Sequence, residues 1–108
     1  GMLTMDATTD PLLATSWRKS PQPVFTKSPE AGAFGPGHNG FFRSPDGTQD
    51  WLIYHANPRT GLGCNDLRSP RMQTFTWNAD GTPNFGRPVP LTTELPRPAP
   101  VVRWTGTE

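Results

Sequence analysis

Bulky apolar side chains gather between Phe34 and Phe85, in short runs separated by glycine, proline and aspartate. The first run, Gly40-Phe41-Phe42-Arg43-Ser44, ends at Pro45-Asp46-Gly47-Thr48 and reads as a strand closed by a turn. Trp51-Leu52-Ile53-Tyr54-His55 follows. Its aromatic and β-branched content predicts a strand buried on both faces, with Trp51, Ile53 and His55 on one side and Leu52 and Tyr54 on the other. Beyond a glycine-rich loop over 57–66, the segment from Arg71 to Trp77 alternates as a third strand should. Asn78 to Pro83 reads as a hairpin loop in which Gly81 supplies positive φ. A short fourth strand is expected from Arg87 to Leu91, where the prolines suit a sheet edge. The fold class predicted is therefore all-β, a four-stranded antiparallel meander within roughly 50 residues, the pattern of one β-propeller blade. A lone sheet of this kind covers one of its faces poorly, so a blade relies on neighbours.

Residues 1–33 read as a lead-in, 34–91 as the blade and 92–108 as an extended tail. In the lead-in, Asp10-Pro11 and Ser20-Pro21-Gln22-Pro23 interrupt regular structure. Asp10 to Ala14 predicts one short helical turn, with Asp10 as its cap and Pro11 at its first position. Trp17 is expected to dock this loop on an apolar surface. The tail is rich in proline, with Val101, Val102 and Trp104 as its anchors.

Composition modifies this picture in a few places. A chain of 108 residues makes one small domain at most, and its 32% apolar share is low. Fourteen prolines and eleven glycines approach the range of disordered chains, but between Phe34 and Phe85 they punctuate apolar runs as turn residues do. The net charge of +1 is dispersed, so there is no basic stripe for nucleic acid and no polybasic patch for a membrane surface. The apolar stretches are too short for a transmembrane helix. Gly1-Met2-Leu3-Thr4 lacks a charged segment followed by an apolar one, so no secretory signal is visible in this chain. Cys64 is the single cysteine, which excludes an internal disulfide.

Candidate chemistry is sparse. His38 and His55 do not form a short metal-ligand pair, and Cys64 has no partner at a zinc or redox spacing. Ser44 and Ser69 lie beside prolines without a nucleophile elbow. Gly35-Pro36-Gly37-His38 has no lysine for a phosphate loop, and Pro36 removes an amide donor. Asp46 and Asp80 are turn residues, Asp50 precedes a strand, and Glu30 and Asp66 fall in loops. Asp66 stands somewhat apart because it neighbours Arg68.

Several long strings point further. Gly35-Pro36-Gly37-His38-Asn39-Gly40-Phe41, Ser44-Pro45-Asp46-Gly47 and Asp50-Trp51-Leu52-Ile53-Tyr54-His55-Ala56 occur in order. Arg68-Ser69-Pro70-Arg71-Met72-Gln73-Thr74-Phe75-Thr76-Trp77 then runs on to Gly86, and Ser16-Trp17-Arg18-Lys19-Ser20-Pro21 precedes them all. Over about residues 1–90 the chain resembles the last blade of glycoside hydrolase family 43, in its α-L-arabinofuranosidase and β-xylosidase branch.

The resemblance implies a five-bladed propeller that hydrolyses arabinose- or xylose-containing plant polysaccharides with inversion. It implies an Asp general base, a second Asp that tunes the acid, and a Glu general acid, all from earlier blades; no carboxylate here matches them, so no catalytic residue is assigned. It further implies that Gly1-Met2-Leu3-Thr4 ends a strand of the preceding blade. His38 matches a histidine at the propeller axis that helps hold calcium or another cation, largely through water; the alternative is a buried histidine bonded to nearby backbone. Arg68 matches an arginine that reaches the sugar in the central subsite, as a guanidinium fork can bond adjacent sugar oxygens. Arg71, three residues on, is its rival.

The expected partners are a pentose-containing polysaccharide or oligosaccharide, and either the remaining blades or further copies of this chain. The resemblance is compatible with a secreted parent enzyme. The competing reading is a non-catalytic module that binds carbohydrate or protein, with Trp51, Trp77 and Tyr54 exposed as stacking platforms.

Overall fold

A computed structural model describes residues 1–99 and Gly106. The strands are β1 (Leu3–Met5), β2 (Trp17–Lys19), β3 (Phe34–Arg43), β4 (Asp50–Asn57), β5 (Ser69–Trp77) and β6 (Pro83–Asn84), with 3-10 turns at Ala14–Ser16 and Pro29–Ala31. The described residues are all-β and antiparallel. β1 and β2 form a two-stranded sheet, and β3-β4-β5-β6 form a four-stranded meander in chain order.

The meander turns where side-chain chemistry makes it turn. Asp46 Oδ1 accepts bonds from Ser44 Oγ at 2.6 Å, Thr48 N at 3.0 Å and Thr48 Oγ1 at 2.8 Å, which closes the β3–β4 connection. The same Asp-x-Thr device recurs at Asp6 with Thr8 and at Asp80 with Thr82. These hydrogen bonds hold all three carboxyls below their ordinary range: for Asp6 chiefly the Thr8 amide, for Asp46 the Ser44 hydroxyl, for Asp80 the Thr82 hydroxyl.

A depressed carboxyl contributes stability above its unfolded pKa and loses it as pH falls through the folded one. The urea midpoint of the chain is therefore expected to hold between about pH 7 and 5 and to decline below about pH 4. Asp46→Asn combined with Asp80→Asn should flatten that decline, whereas a wild-type midpoint unchanged down to about pH 3 would contradict the assignment.

The core lies on one face of the meander. Leu52 and Tyr54 of β4, Phe75 of β5 and Phe85 after β6 are buried there with Ala31, Ala33 and Ala56, and Val24 and Phe25 pack against them. Phe25 meets Tyr54 edge-on with ring centroids 4.9 Å apart, and Phe75 meets Phe85 at 5.1 Å. The segment from Val24 to Ala33 is thus a cover over the sheet, not a passive lead-in.

The expectation that β4 is buried on both faces holds only in part. Trp51 is 1% exposed, stacked on Phe42 with centroids 5.8 Å apart, but Ile53 on the same face is 42% exposed. Met72 and Phe42 are each 37% exposed. One sheet with one cover shields one face, so this second apolar face stays open.

Other expectations are also revised. The strand expected at the start of the lead-in is present as β1, but it pairs with a second, unexpected strand, β2, with Leu3 opposite Lys19 and Met5 opposite Trp17. Asp10 does cap a turn, accepting Leu12 N at 2.9 Å, but the 3-10 turn forms later, at Ala14–Ser16. Trp17 holds its loop through a polar edge: the indole N–H donates to the Pro11 carbonyl at 2.9 Å, and the side chain is 40% exposed.

The fourth strand is Pro83–Asn84, not 87–91. Gly86 turns the chain at φ 64°, and Pro88 and Pro90 have no N–H for a ladder. The buried Gln73 side chain takes the ladder's place, donating to the carbonyls of Phe85 at 3.2 Å and Arg87 at 2.9 Å and accepting from Val89 N at 3.2 Å. The tail is tied down at Ala99, whose carbonyl accepts from Asp46 N at 3.2 Å and whose N–H donates to Gln49 Oε1 at 3.0 Å. Val101, Val102 and Trp104 lie outside the described residues.

Candidate functional site

The site residues come together at the end of the meander where β3 is irregular. Phe34 pairs with Asn57, Gly37 with His55 and Gly40 with Ile53, so β3 twice spends three steps against two on β4. Each extra residue is a bulge, which bends the strand and re-aims the side chains beside it. The first bulge contains Gly35 at φ 55°, a geometry that favours glycine. The second contains His38 at φ 49°, the single non-glycine residue with positive φ among those described. His38 is exposed in this chain, and its ring lies 5.7 Å from that of His55.

Arg68 reaches the same place from the loop before β5. That loop is tightened by asparagines: Asn57 Nδ2 donates to the Gly63 carbonyl at 3.0 Å, and Asn65 Nδ2 donates to the Leu62 carbonyl at 2.7 Å. Arg68 Nη2 donates to the same Gly63 carbonyl at 2.9 Å, and Nη1 lies 3.2 Å from His55 Nε2. A guanidinium only donates, so His55 Nε2 is the acceptor and the ring carries its proton on Nδ1. Burial, then Arg68, then His38 lower the His55 pKa, which favours the neutral ring. Arg68 Nε is buried and has no partner among the described residues.

Arg71 does different work. Its side chain is buried, with Nη1 donating to the Ala31 carbonyl at 3.2 Å and Nη2 to the Gly32 carbonyl at 2.6 Å. It pins the 3-10 turn at Pro29–Ala31 under the sheet. Of the two rival arginines, Arg68 is therefore the one beside the histidines.

None of the carboxyls with a resolved shift has the environment of a general acid. That role calls for a pKa raised toward neutrality, whereas every carboxyl here with a resolved shift is lowered: Asp6, Glu30, Asp46, Asp50 and Asp80. Asp50 bonds the Trp77 indole at 2.8 Å and Arg43 Nε at 3.0 Å. Glu30 bonds its own backbone, Ser28 and Arg87. Asp66 is exposed in its loop.

No group of three or more His, Cys, Asp or Glu that could hold a metal occurs among the described residues. Calcium takes about six to eight oxygen ligands, so His38 with His55 beside it does not fit that ion unaided.

The sequence pattern did not single out His55 as a site residue. Its position does carry a signal: it is the β4 residue opposite Pro70, two residues from Arg68.

The family model described as Glycosyl hydrolases family 43 matches residues 2–83, a span that takes in His38, His55 and Arg68. The chain belongs to family 43. It is similar to the extracellular exo-alpha-(1->5)-L-arabinofuranosidase of Streptomyces avermitilis, 50% identical over 93 residues that cover 82% of this chain and 19% of that protein. It is 40% identical over 94 residues to alpha-L-arabinofuranosidase B of Pyricularia oryzae, covering 83% of this chain and 19% of that one. Among solved structures, alpha-L-arabinofuranosidase from Lactobacillus brevis superposes with a TM-score of 0.78 at 46% identity, covering 87% of this chain and 30% of that chain. The family-43 chain thus spans about a fifth of the length of these curated relatives.

In this family-43 chain the stacking-platform reading loses most of its basis. Trp51 and Tyr54 are buried, at 1% and 2% exposure, and Trp77 alone of the three is open, at 56%. Trp77 borders an open cleft of about 920 Å³ between the β1–β2 hairpin and the core face, with Leu3, Phe25, Phe41 and Phe75. Its indole N–H is already committed to Asp50.

Proposed function

We propose that this chain is the closing blade of a five-bladed propeller in a secreted family-43 α-L-arabinofuranosidase that releases pentose from plant polysaccharides with inversion. One observation carries this reading: 87% of the chain superposes on only 30% of an α-L-arabinofuranosidase. In this reading β1 and β2 are outer strands of the preceding blade, and 34–91 is the blade itself. The open face with Phe42, Ile53 and Met72 then packs against other parts of the same enzyme.

Inverting hydrolysis needs two carboxyls about 6.5–9.5 Å apart, one of them protonated at working pH. The lowered carboxylates here support an acid and a base supplied by other blades. This blade contributes Arg68. Its two protein bonds leave further Nη hydrogens for the hydroxyls of an arabinofuranosyl unit in the central subsite. His38 sits at the propeller axis, where a cation would be held through water and by oxygen donors from elsewhere. Xylosides are the second substrate class to test.

The purified chain, its intact mass checked, is expected to release nothing above buffer from aryl α-L-arabinofuranoside or aryl β-D-xyloside. Turnover by a chain of this mass would place the catalytic carboxylates within it, with Asp66 and Glu30 the first to replace.

A further inference from the structure

We propose that His55 is a positioning residue for Arg68, its Nε2 accepting from Nη1 and fixing the plane in which the guanidinium meets the sugar. This rests on the reading of Arg68 as a substrate-binding residue.

Arg68 is held at two nitrogens by two different elements. Nη2 donates to the Gly63 carbonyl in the loop before β5, and Nη1 lies 3.2 Å from a ring on β4. A single bond would leave the planar group free to swing about that bond. Two bonds from separate elements define its plane. A fixed plane matters because a fork recognises adjacent oxygens by direction as well as charge, and misplacement by about 1 Å is costly in catalysis.

The chemistry of the partner fits the task. Nε2 is an acceptor in the Nδ1–H tautomer, and the guanidinium requires an acceptor. A lysine or a protonated ring would repel it. The bonds to Gly63 and His55 use one hydrogen on each Nη, so the outer hydrogens of the fork remain for a ligand.

The experiment uses the complete parent enzyme and four variants: Arg68→Ala, His55→Leu, His55→Gln and the Arg68→Ala, His55→Leu double. His55→Leu is expected to raise KM by about 5- to 10-fold with kcat changed by less than about 3-fold, the pattern of a lost binding orientation. His55→Gln should recover most of the loss, because its amide oxygen accepts where Nε2 did. The double variant should match Arg68→Ala alone, since a residue acting through Arg68 has nothing to position in its absence.

Labelling histidine with 15N in the unmodified enzyme should show Nε2 unprotonated, which keeps the proposal testable even if His55→Leu does not fold. If Arg68→Ala leaves the kinetics unchanged, the substrate-binding reading falls and this proposal with it. If Arg68→Ala is impaired while His55→Leu is normal, or the two losses add, or Nε2 carries the proton, the positioning role alone falls.

Discussion

Arg68→Ala in the parent enzyme is expected to lower kcat/KM by at least ~10-fold without unfolding it. A hydrogen bond to a charged group is worth ~1.5–3 kcal/mol, and a loss of ~1.4 kcal/mol is tenfold in rate. The fold should survive because Arg68 ties down a surface loop that Asn57 and Asn65 also close. Arg71 gives the contrast: its guanidinium holds two carbonyls under the sheet, so Arg71→Ala should cost stability first. Arg68→Lys should fail to rescue, since an ammonium keeps the charge but loses the planar fork. Michaelis–Menten kinetics on aryl α-L-arabinofuranoside, paired with thermal unfolding, checks both halves. Unchanged kinetics for Arg68→Ala would remove the residue from the subsite, and a collapsed melting temperature would make it structural.

Trp51→Ala is expected to destabilise the isolated chain by about 3–5 kcal/mol, the usual cost of deleting a large buried aromatic side chain. Small domains are stable by only about 5–15 kcal/mol in total, so most of the margin would go. Trp51 is the largest fully buried side chain among the described residues, on a sheet face that is otherwise open. Phe42 stacks on it, and Gln49 Oε1 accepts from its indole N–H at 3.4 Å and from Ala99 N at 3.0 Å. Removing the indole therefore opens a cavity and loosens the place where the tail is tied. Trp77→Ala, at a residue 56% exposed, should cost much less. Urea unfolding followed by circular dichroism decides the matter. A loss below about 1 kcal/mol for Trp51→Ala would mean that Phe42 and Gln49 do not hold the indole in place in solution.

Much of the meander was legible because its cues are local. Asp46 with Thr48, and Asp80 with Thr82, close turns through bonds spanning two residues. β4 and β5 were found within a residue or two, because bulky side chains and alternation persist along each. β3 was expected from Gly40 but begins at Phe34, because two bulges break its alternation; the other misses share a cause. β2 is three residues, too short for a period to show, and pairs with β1 only because the loop between them brings Leu3 beside Lys19. The expected strand at 87–91 reads well as an edge, yet Gln73 bonds that segment with a side chain, and Phe85 and Gly86 turn it toward the core. Gln73 is an ordinary polar residue in the sequence; its role exists only once β5 lies beside that segment.

The candidate site divides the same way. The sequence by itself determined the family resemblance, the all-β class, the absence of a short metal-binding or nucleophilic motif, and the nomination of His38 and Arg68. Those follow from residue identity and order. Only the tertiary structure shows what the two arginines touch: two carbonyls beneath the sheet for Arg71, the His55 ring and one loop carbonyl for Arg68. It also brought His55 to Arg68 across 13 positions of chain and set His38 in a bulge at positive φ. A hydrogen bond depends on distance and direction between groups, and between residues this far apart those are set by strand register and loop closure, which no local run of residues encodes.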